Sequence, residues 1–429
     1  MTSASSIKGW CPGALRPMES GDGLIVRLRV TGGVLSLKQA RAIAKASTDY
    51  GNGVMDLSAR ANFQLRGVTQ ATWPKLIDAL SHYDLIDANK DAESIRNVMA
   101  SPLSGIDPKA LIDITPHVKA LEDHLKSTKS LHHLPAKFGF LIDDGGAFSL
   151  RDVATDIAFE ATTKTSTAAF AVRLAEAEEI ALIRPEDLVK TADALAHSFI
   201  DARQGYDDQI RRMKHLVERE GARKLFAAIG LETFSAKHST IDKRDERQSR
   251  IGFHRFGTFA CLGLAAPFGR WNAKVLSDLI HFAERHNINS LRLTPWRALL
   301  LSDISEEAAE EARALFSDVL ITSPHDPRLF IAACSGKPAC LHASVKTQTD
   351  ALSFSELFGK APQSGIYLHV SGCEKGCAHP RASRVTLVGR DGFYDLVLKG
   401  KASDTPIRRG LDPIHVASAL KEMLEGESA

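Results

Sequence analysis

Apolar and polar residues alternate along residues 24–30. Leu24, Val26, Leu28 and Val30 fall on one face, and Ile25, Arg27 and Arg29 on the other. A period of two is that of a half-buried strand. Gly32 and Gly33 end it. Ser36, followed three residues on by Gln39, has the form of a helix capping box. Leu37, Ala40, Ile43 and Ala44 then recur at helical spacing, and the helix runs to about Tyr50. Gly51 and Gly53 stop it, and a strand begins at Val54. The same order returns 236 residues later. Residues 260–266 form an apolar strand, Gly269 stands where Gly33 stood, and Asn272 takes the cap position of Ser36. A helix over 273–287 turns Val275, Leu276, Leu279 and Ala283 inward, and 290–294 matches 54–58. Identities are few (Gly21/Gly257, Leu28/Leu264, Gly33/Gly269, Leu57/Leu293, Leu65/Leu301), but the register holds without a gap. The pattern is a diverged internal duplication. It predicts pseudo-twofold packing of the two copies, with strands 24–30 and 260–266 in one shared antiparallel sheet.

The arginines are not duplicated. Arg27 matches Gly263, Arg29 matches Ala265 and Arg60 matches Trp296. One copy carries a cationic surface and the other does not, as expected of a single site on a twofold scaffold. A longer α/β stretch follows each copy. The first has strands near 137–142 and 168–174 and helices over 185–202 and 209–229. The second has strands near 365–370 and 385–388 and a last helix from Pro413. Residues 236–250 are polar and charged and read as a linker. The expected domains are 1–88, 89–235, the linker 236–250, 251–322 and 323–429.

Composition narrows the class. The chain has 429 residues, 44% hydrophobic and 25% charged, as in a water-soluble globular protein of several domains. Lys and Arg number 54 against 52 Asp and Glu, so no global field favours nucleic acid or a membrane surface. The first ten residues lack the apolar core of a secretory signal, and the apolar run 259–268 is too short to span a bilayer. A cytoplasmic location with reduced thiols is expected.

Four of the 6 cysteines are grouped: Cys334 and Cys340 as C-x5-C, then Cys373 and Cys377 as C-x3-C. Gly336, Pro338, Gly372 and Gly376 give both loops tight turns, which bring backbone N–H groups close to sulfur. Disulfides, structural zinc and an iron–sulfur cubane all remain open. Disulfides suit an oxidising compartment that nothing else indicates. Zinc more often has closer pairs such as C-x2-C. The spacing favours the cubane.

With these residues in view, the chain resembles the sulfite/nitrite reductase superfamily. Residues 57–67 (LSARANFQLRG) are similar to its Arg-x-x-Phe-Gln segment, Arg96-Asn97-Val98 to its Arg-Asn-Val segment, and 134–138 (LPAKF) to its Leu-Pro-x-Lys-Phe segment. The resemblance implies an α+β fold, with two ferredoxin-like half-domains and two α/β domains about a pseudo-twofold. It implies a [4Fe-4S] cluster on Cys334, Cys340, Cys373 and Cys377, and a tetrapyrrole pocket lined by Arg27, Arg60, Arg96 and Lys137. Such tetrapyrroles carry up to eight carboxylates, which arginine forks match in geometry. Arg29 is expected to be a solvated strand-edge residue. Gly139 stands where relatives have a second lysine. The stretch 11–23, with Cys11, and the loop 369–380 resemble the branch serving the oxygen-dependent route to cobalamin. That branch implies precorrin-3A and O2 as substrates, hydroxylation with lactone formation, and a monooxygenase. No G-x-G-x-x-G occurs, so NADH is expected to act through a separate reductase or a ferredoxin. A mononuclear non-heme iron is a further expectation; His369, His379, His132 and His133 are candidates, with the ligands and catalytic residues left open. The alternatives are a siroheme-dependent sulfite or nitrite reductase and a non-catalytic tetrapyrrole-binding iron–sulfur protein.

Overall fold

The computed structural model describes residues 11–163, 168–206, 210–235, 250–358 and 366–426. Its first unit comprises β1 (Met18–Ser20), β2 (Gly23–Leu28), β3 (Val34–Ser36), α1 (Leu37–Tyr50), β4 (Val54–Leu57), β5 (Phe63–Val68) and α2 (Trp73–Ser81). β2 is the alternating stretch, and α1 starts on the expected reciprocal cap. The Ser36 hydroxyl accepts from Gln39 N–H at 3.2 Å, and Gln39 Oε1 accepts from Ser36 N–H at 3.1 Å. The second unit comprises α3 (Lys90–Ile95), β6 (Val98–Ala100), α4 (Thr115–Ser127), β7 (Phe140–Asp143), β8 (Ile157–Thr162), β9 (Ala169–Leu174), β10 (Glu179–Ile183), α5 (Leu188–Gly205), α6 (Met213–Glu220), α7 (Ala222–Ala228) and β11 (Thr233–Ser235). The helix expected over 209–229 is two helices, because Gly221 at φ 80° breaks it. Of the expected linker, 236–249 lies outside the described residues.

The third unit comprises β12 (Gly252–Phe256), β13 (Phe259–Ala265), β14 (Arg270–Asn272), α8 (Ala273–Arg285), β15 (Ser290–Leu293), β16 (Ala298–Ser302) and α9 (Glu306–Phe316). The fourth comprises β17 (Ile331–Ala333), α10 (Thr347–Ser355), β18 (Leu368–Ser371), β19 (Ser383–Arg390), β20 (Phe393–Gly400), β21 (Arg408–Leu411) and α11 (Pro413–Gly426).

The duplicated strands do not share one sheet, which corrects the sequence expectation. β2 is already flanked by β1 and β5, and β13 by β12 and β16, so neither has a free edge for the other. The halves are joined instead by exchange. The first sheet runs β1-β2-β5-β4-β14 and ends on a strand from the second half. The other runs β12-β13-β16-β15-β3 and ends on a strand from the first. The registers obey the 236-residue repeat: Asn272 pairs with Val54, and Ser36 with Ser290. α1 packs against α8, and both halves contribute to one continuous core. The matched glycines have a matched reason. A Cβ on Gly33 (φ 70°) would lie 2.9 Å from Leu293 O, and one on Gly269 (φ 77°) would lie 3.0 Å from Leu57 O. Each glycine lets the chain pass the other half's carbonyl.

The remaining two sheets are also copies. β6, β7 and β8 are parallel neighbours, followed by antiparallel β9 and β10, with β11 added at the edge. β17, β18 and β19 are parallel neighbours, followed by antiparallel β20 and β21. The duplication therefore embraces each whole half of the chain.

A cysteine loop pair and a basic cleft on one sheet face

The two cysteine loops leave the carboxyl ends of adjacent parallel strands. Cys334 directly follows β17, and Cys373 lies just beyond β18. Gly372 N–H donates to Cys334 Sγ at 3.1 Å. The Thr347 hydroxyl donates to Cys334 O at 2.7 Å. A side chain on Gly372 would meet Ala343 Cβ at 2.6 Å and Cys334 Sγ at 3.4 Å, so only glycine lets the two loops close together. Burial, first, pushes the Cys373 thiol up, and neighbouring Cys340 and Cys334 push the same way. Those three thiols are therefore near neighbours. No disulfide joins any of the four among the described residues, and Cys377 is exposed. Among the described residues, no three His, Cys, Asp or Glu side chains form the ligand set of a single metal ion. Four thiolates that each bind a different corner of a cubane need not converge on one point. Sulfurs outside any disulfide, glycine turns and an N–H already aimed at sulfur fit such a cluster.

The first loop docks onto the β1–β2 turn. Ala339 O accepts from Ser20 Oγ (2.5 Å), Gly21 N (3.3 Å) and Arg66 Nη2 (2.7 Å). Arg66, 2% exposed, is held by Asp22 (2.8 Å) and Asp56 (3.0 Å). A Cβ on Gly21 would lie 2.2 Å from Pro338 O. Sequence reading missed Arg66, although it lies inside the 57–67 segment.

Arg66, Gln64, Arg27 and Arg29 form a polar stripe on the sheet face away from the core. Arg27 sits opposite Gln64 and donates to its Oε1 from Nε (3.2 Å) and Nη2 (2.8 Å). Burial lowers the Arg27 guanidinium, and the adjacent Cys11 side chain offsets this only in part. From the Arg66 end to Arg29 is about four strand residues, or roughly 13 Å. There a cleft of about 360 Å³ opens, lined by Arg29, Arg60, Asn62, Arg96, Gly139 and Arg212 among others.

The cleft's cations differ in how far they are committed. Arg96 is bound to Asp87 (2.9 Å), Glu122 (3.1 Å) and Arg29 O (3.1 Å). Burial would lower its guanidinium, but Glu122 and Asp87 outweigh it and hold it above the usual value. Arg60 Nη2 donates to Lys137 O at 2.6 Å, while its Nη1 is buried without a hydrogen-bond partner among the described residues. The Lys137 side chain is exposed. Arg29 corrects the sequence expectation, because the second unit covers its strand edge and leaves it 4% exposed. Burial lowers its guanidinium to about 10. Arg212, not anticipated from sequence, arrives from the turn before α6. Its Nε and Nη2 grip Asp156 at 3.0 and 2.9 Å. Asp156 also accepts from Gly139 N (2.9 Å) and Met213 N (2.8 Å). His369 and His379 face each other with ring centroids 5.9 Å apart, beside the cysteine loop.

The matching face of the other half is closed. Leu103 and Phe148 from the second unit pack there with Phe256, Cys261, Leu300 and Trp296. Burial pushes the Cys261 thiol up to about 12. The counterparts of the cysteine loops follow β6 and β7. Ser101 stands at the place of Cys334, and Asp144 at that of Gly372. Asp144 N–H donates to Ser101 Oγ at 2.9 Å, as Gly372 N–H does to sulfur.

Residues 16–83 and 255–319 match the nitrite/sulfite reductase ferredoxin-like half domain, and 91–237 match the nitrite and sulphite reductase 4Fe-4S domain. That second match falls on the copy bearing Ser101; the four cysteines lie in the copy of like topology. The chain is 30% identical over 412 residues to a precorrin-3B synthase of Sinorhizobium sp, covering 94% of this chain and 86% of that protein. It is 25% identical over 396 residues to the chloroplastic ferredoxin–nitrite reductase of Zea mays, covering 85% and 69%. The Mycobacterium tuberculosis NirA structure superposes with a TM-score of 0.75 at 18% identity, covering 94% of this chain and 80% of that one, and so shares its fold.

Proposed function

The chain belongs to the nitrite and sulfite reductase family, an oxidoreductase family, and from that premise we propose that it hydroxylates precorrin-3A with O2 to give precorrin-3B. The observation that carries this reading is the stripe itself. Buried guanidinium groups line a cleft on the same sheet face onto which the cysteine loops dock.

Cys334, Cys340, Cys373 and Cys377 hold the [4Fe-4S] cluster in this reading, and the cluster supplies electrons one at a time. Gly372 N–H, donating to Cys334 Sγ, stabilises the thiolate. Arg27, Arg60 and Lys137 take carboxylate arms of the substrate, and Arg96 lines the same cleft while bracing Asp87 and Glu122. A Cβ on Gly139 would make ordinary contact with Thr155 Oγ1 (3.5 Å) and Asn97 O (3.7 Å), so glycine here does not open the wall but withholds a side-chain charge. That missing cation favours a macrocycle edge over a tightly caged small oxyanion. One atom of O2 enters the substrate and the other leaves as water with two electrons and two protons. A separate reductase or ferredoxin delivers those electrons.

Anaerobic incubation with precorrin-3A, followed by admission of O2, tests the proposal. The product should gain the mass of one oxygen atom. Protein that instead carries siroheme, reduces nitrite or sulfite with dyes and leaves precorrin-3A untouched is a reductase, and the hydroxylase reading falls.

A further inference from the structure

We propose that Arg29 forms a second, deeper anion subsite in the cleft, reserved for a carboxylate arm of the tetrapyrrole. The inference rests on the tetrapyrrole reading above. It begins from an incomplete hydrogen-bond set. Arg29 is 4% exposed, yet its Nη1 has no hydrogen-bond partner among the described residues. The nearest carboxylate oxygen, Glu93 Oε1, is 4.0 Å away. Glu93 is itself committed, since Oε1 accepts from Ala14 N at 2.5 Å and Oε2 from Leu15 N at 3.2 Å. Burying a guanidinium with an unused donor is costly unless something fills the gap.

The rest of the Arg29 side chain is steered rather than neutralised. Nε and Nη2 lie 3.4 and 3.3 Å from Asn97 Oδ1. The Asn97 amide is fixed in turn by donating to Ala136 O (3.0 Å) and Phe138 O (3.1 Å). One edge of the fork is therefore held in place by a neutral side chain. The other nitrogen is left for a charged acceptor, and Arg29 lines the cleft. Arg96 cannot serve in its stead, because Asp87 and Glu122 already occupy it. Arg60 Nη1 also has no hydrogen-bond partner among the described residues, and Arg60 lines the same cleft. Two free guanidinium nitrogens in one cleft suit a ligand with several carboxylates better than one with a single charge.

Two porphyrins differing in carboxylate number make the test: uroporphyrin III with eight and coproporphyrin III with four. The wild-type protein should bind uroporphyrin the more tightly in an absorbance titration. Arg29→Gln should lose about ten- to a hundredfold on uroporphyrin and much less on coproporphyrin, so that the preference collapses. If the preference survives, or both probes weaken equally, Arg29 is only a structural partner of Glu93 and the subsite is refuted. Should R29Q not fold, Arg29→Lys carries the same test, since it keeps the charge but loses the fork. Wild-type protein that binds neither porphyrin overturns the subsite together with the tetrapyrrole reading, a result distinct from failure of Arg29 alone.

Discussion

Asp144 shows what a single buried carboxyl does to this protein. Burial first, then Asp143 and Asp107, push its acid up to about 7. Oδ1 accepts from Gly146 N at 2.7 Å, whereas Oδ2 has no partner among the described residues. The folded state therefore holds a proton that the unfolded chain has released. The contribution of Asp144 to stability is most favourable below about pH 4, falls as pH rises toward 7, and is level above that, with a total on the order of 4 kcal/mol for this group. Asp144→Asn should flatten this fall, which thermal melts at pH 5 and pH 8 would reveal; parallel melts of variant and wild type would exclude it. Two arginines of the cleft should separate in the same way. Arg60→Ala should weaken tetrapyrrole binding roughly ten- to a hundredfold with little change in stability, because Arg60 has no carboxylate partner among the described residues. Arg96→Ala should cost about 3–5 kcal/mol of stability, since Asp87 and Glu122 would be left buried and unpaired. Urea unfolding and porphyrin titration of both variants measure the contrast. The grouping of the cysteines and the motif around Arg60 could be read from the sequence because spacing and motif carry them, and the structure sets Arg60 at the cleft. Arg29, Arg66 and Arg212 could not be so read. Alternation tells which face a side chain takes, but not that Asn97 or Ala339, far along the chain, will cover it.

Among the elements, the helix caps and breakers were the most readable part. Ser36, Asn272 and Gly33 each act where the pattern put them, because capping and positive φ are local chemistry. Strand neighbours were misread, since period-two alternation names a face and never an adjacent strand. Gly32 and Gly33 make the local argument testable. Both have positive φ, 59° and 70°. Phe268, the counterpart of Gly32, tolerates φ 58°, and a Cβ on Gly32 would touch nothing closer than 3.7 Å. Gly33 has Leu293 O at 2.9 Å from its Cβ position. Gly33→Ala should therefore destabilise by about 1–3 kcal/mol, and Gly32→Ala by distinctly less. Chemical denaturation that ranks the two alike would show that the carbonyl contact is not the reason for the second glycine.

At the scale of the whole molecule, each half pairs one of its sheets with a sheet of the other, and the two pairings differ in character. The basic stripe and the cysteines lie on elements of opposite halves, β2–β5 and β17–β18, that meet at Ala339. Their counterparts meet too, but through Phe148, Trp296 and Arg292, whose Nη1 donates to Ser104 O at 3.1 Å. The repeat of the ferredoxin-like units was visible at 236 residues because no insertion breaks it. The repeat of the two larger units was hidden in the sequence. Their strands keep order and direction while the connecting loops differ, and topology leaves no periodic trace.

The exchange of β3 and β14 makes each half the complement of the other. A chain divided between Ser235 and Arg250 would leave two fragments, each missing an edge strand that only its sister carries. An unpaired edge invites aggregation. Produced separately, the fragments should be insoluble or oligomeric; produced together, they should co-purify as a one-to-one pair that restores the sheet edges. Fragments that stay soluble and monomeric apart would mean that the crossed strands are dispensable. The fold thus behaves as a heterodimer written in one chain. That arrangement guarantees one partner of each kind, so the two surfaces were free to diverge.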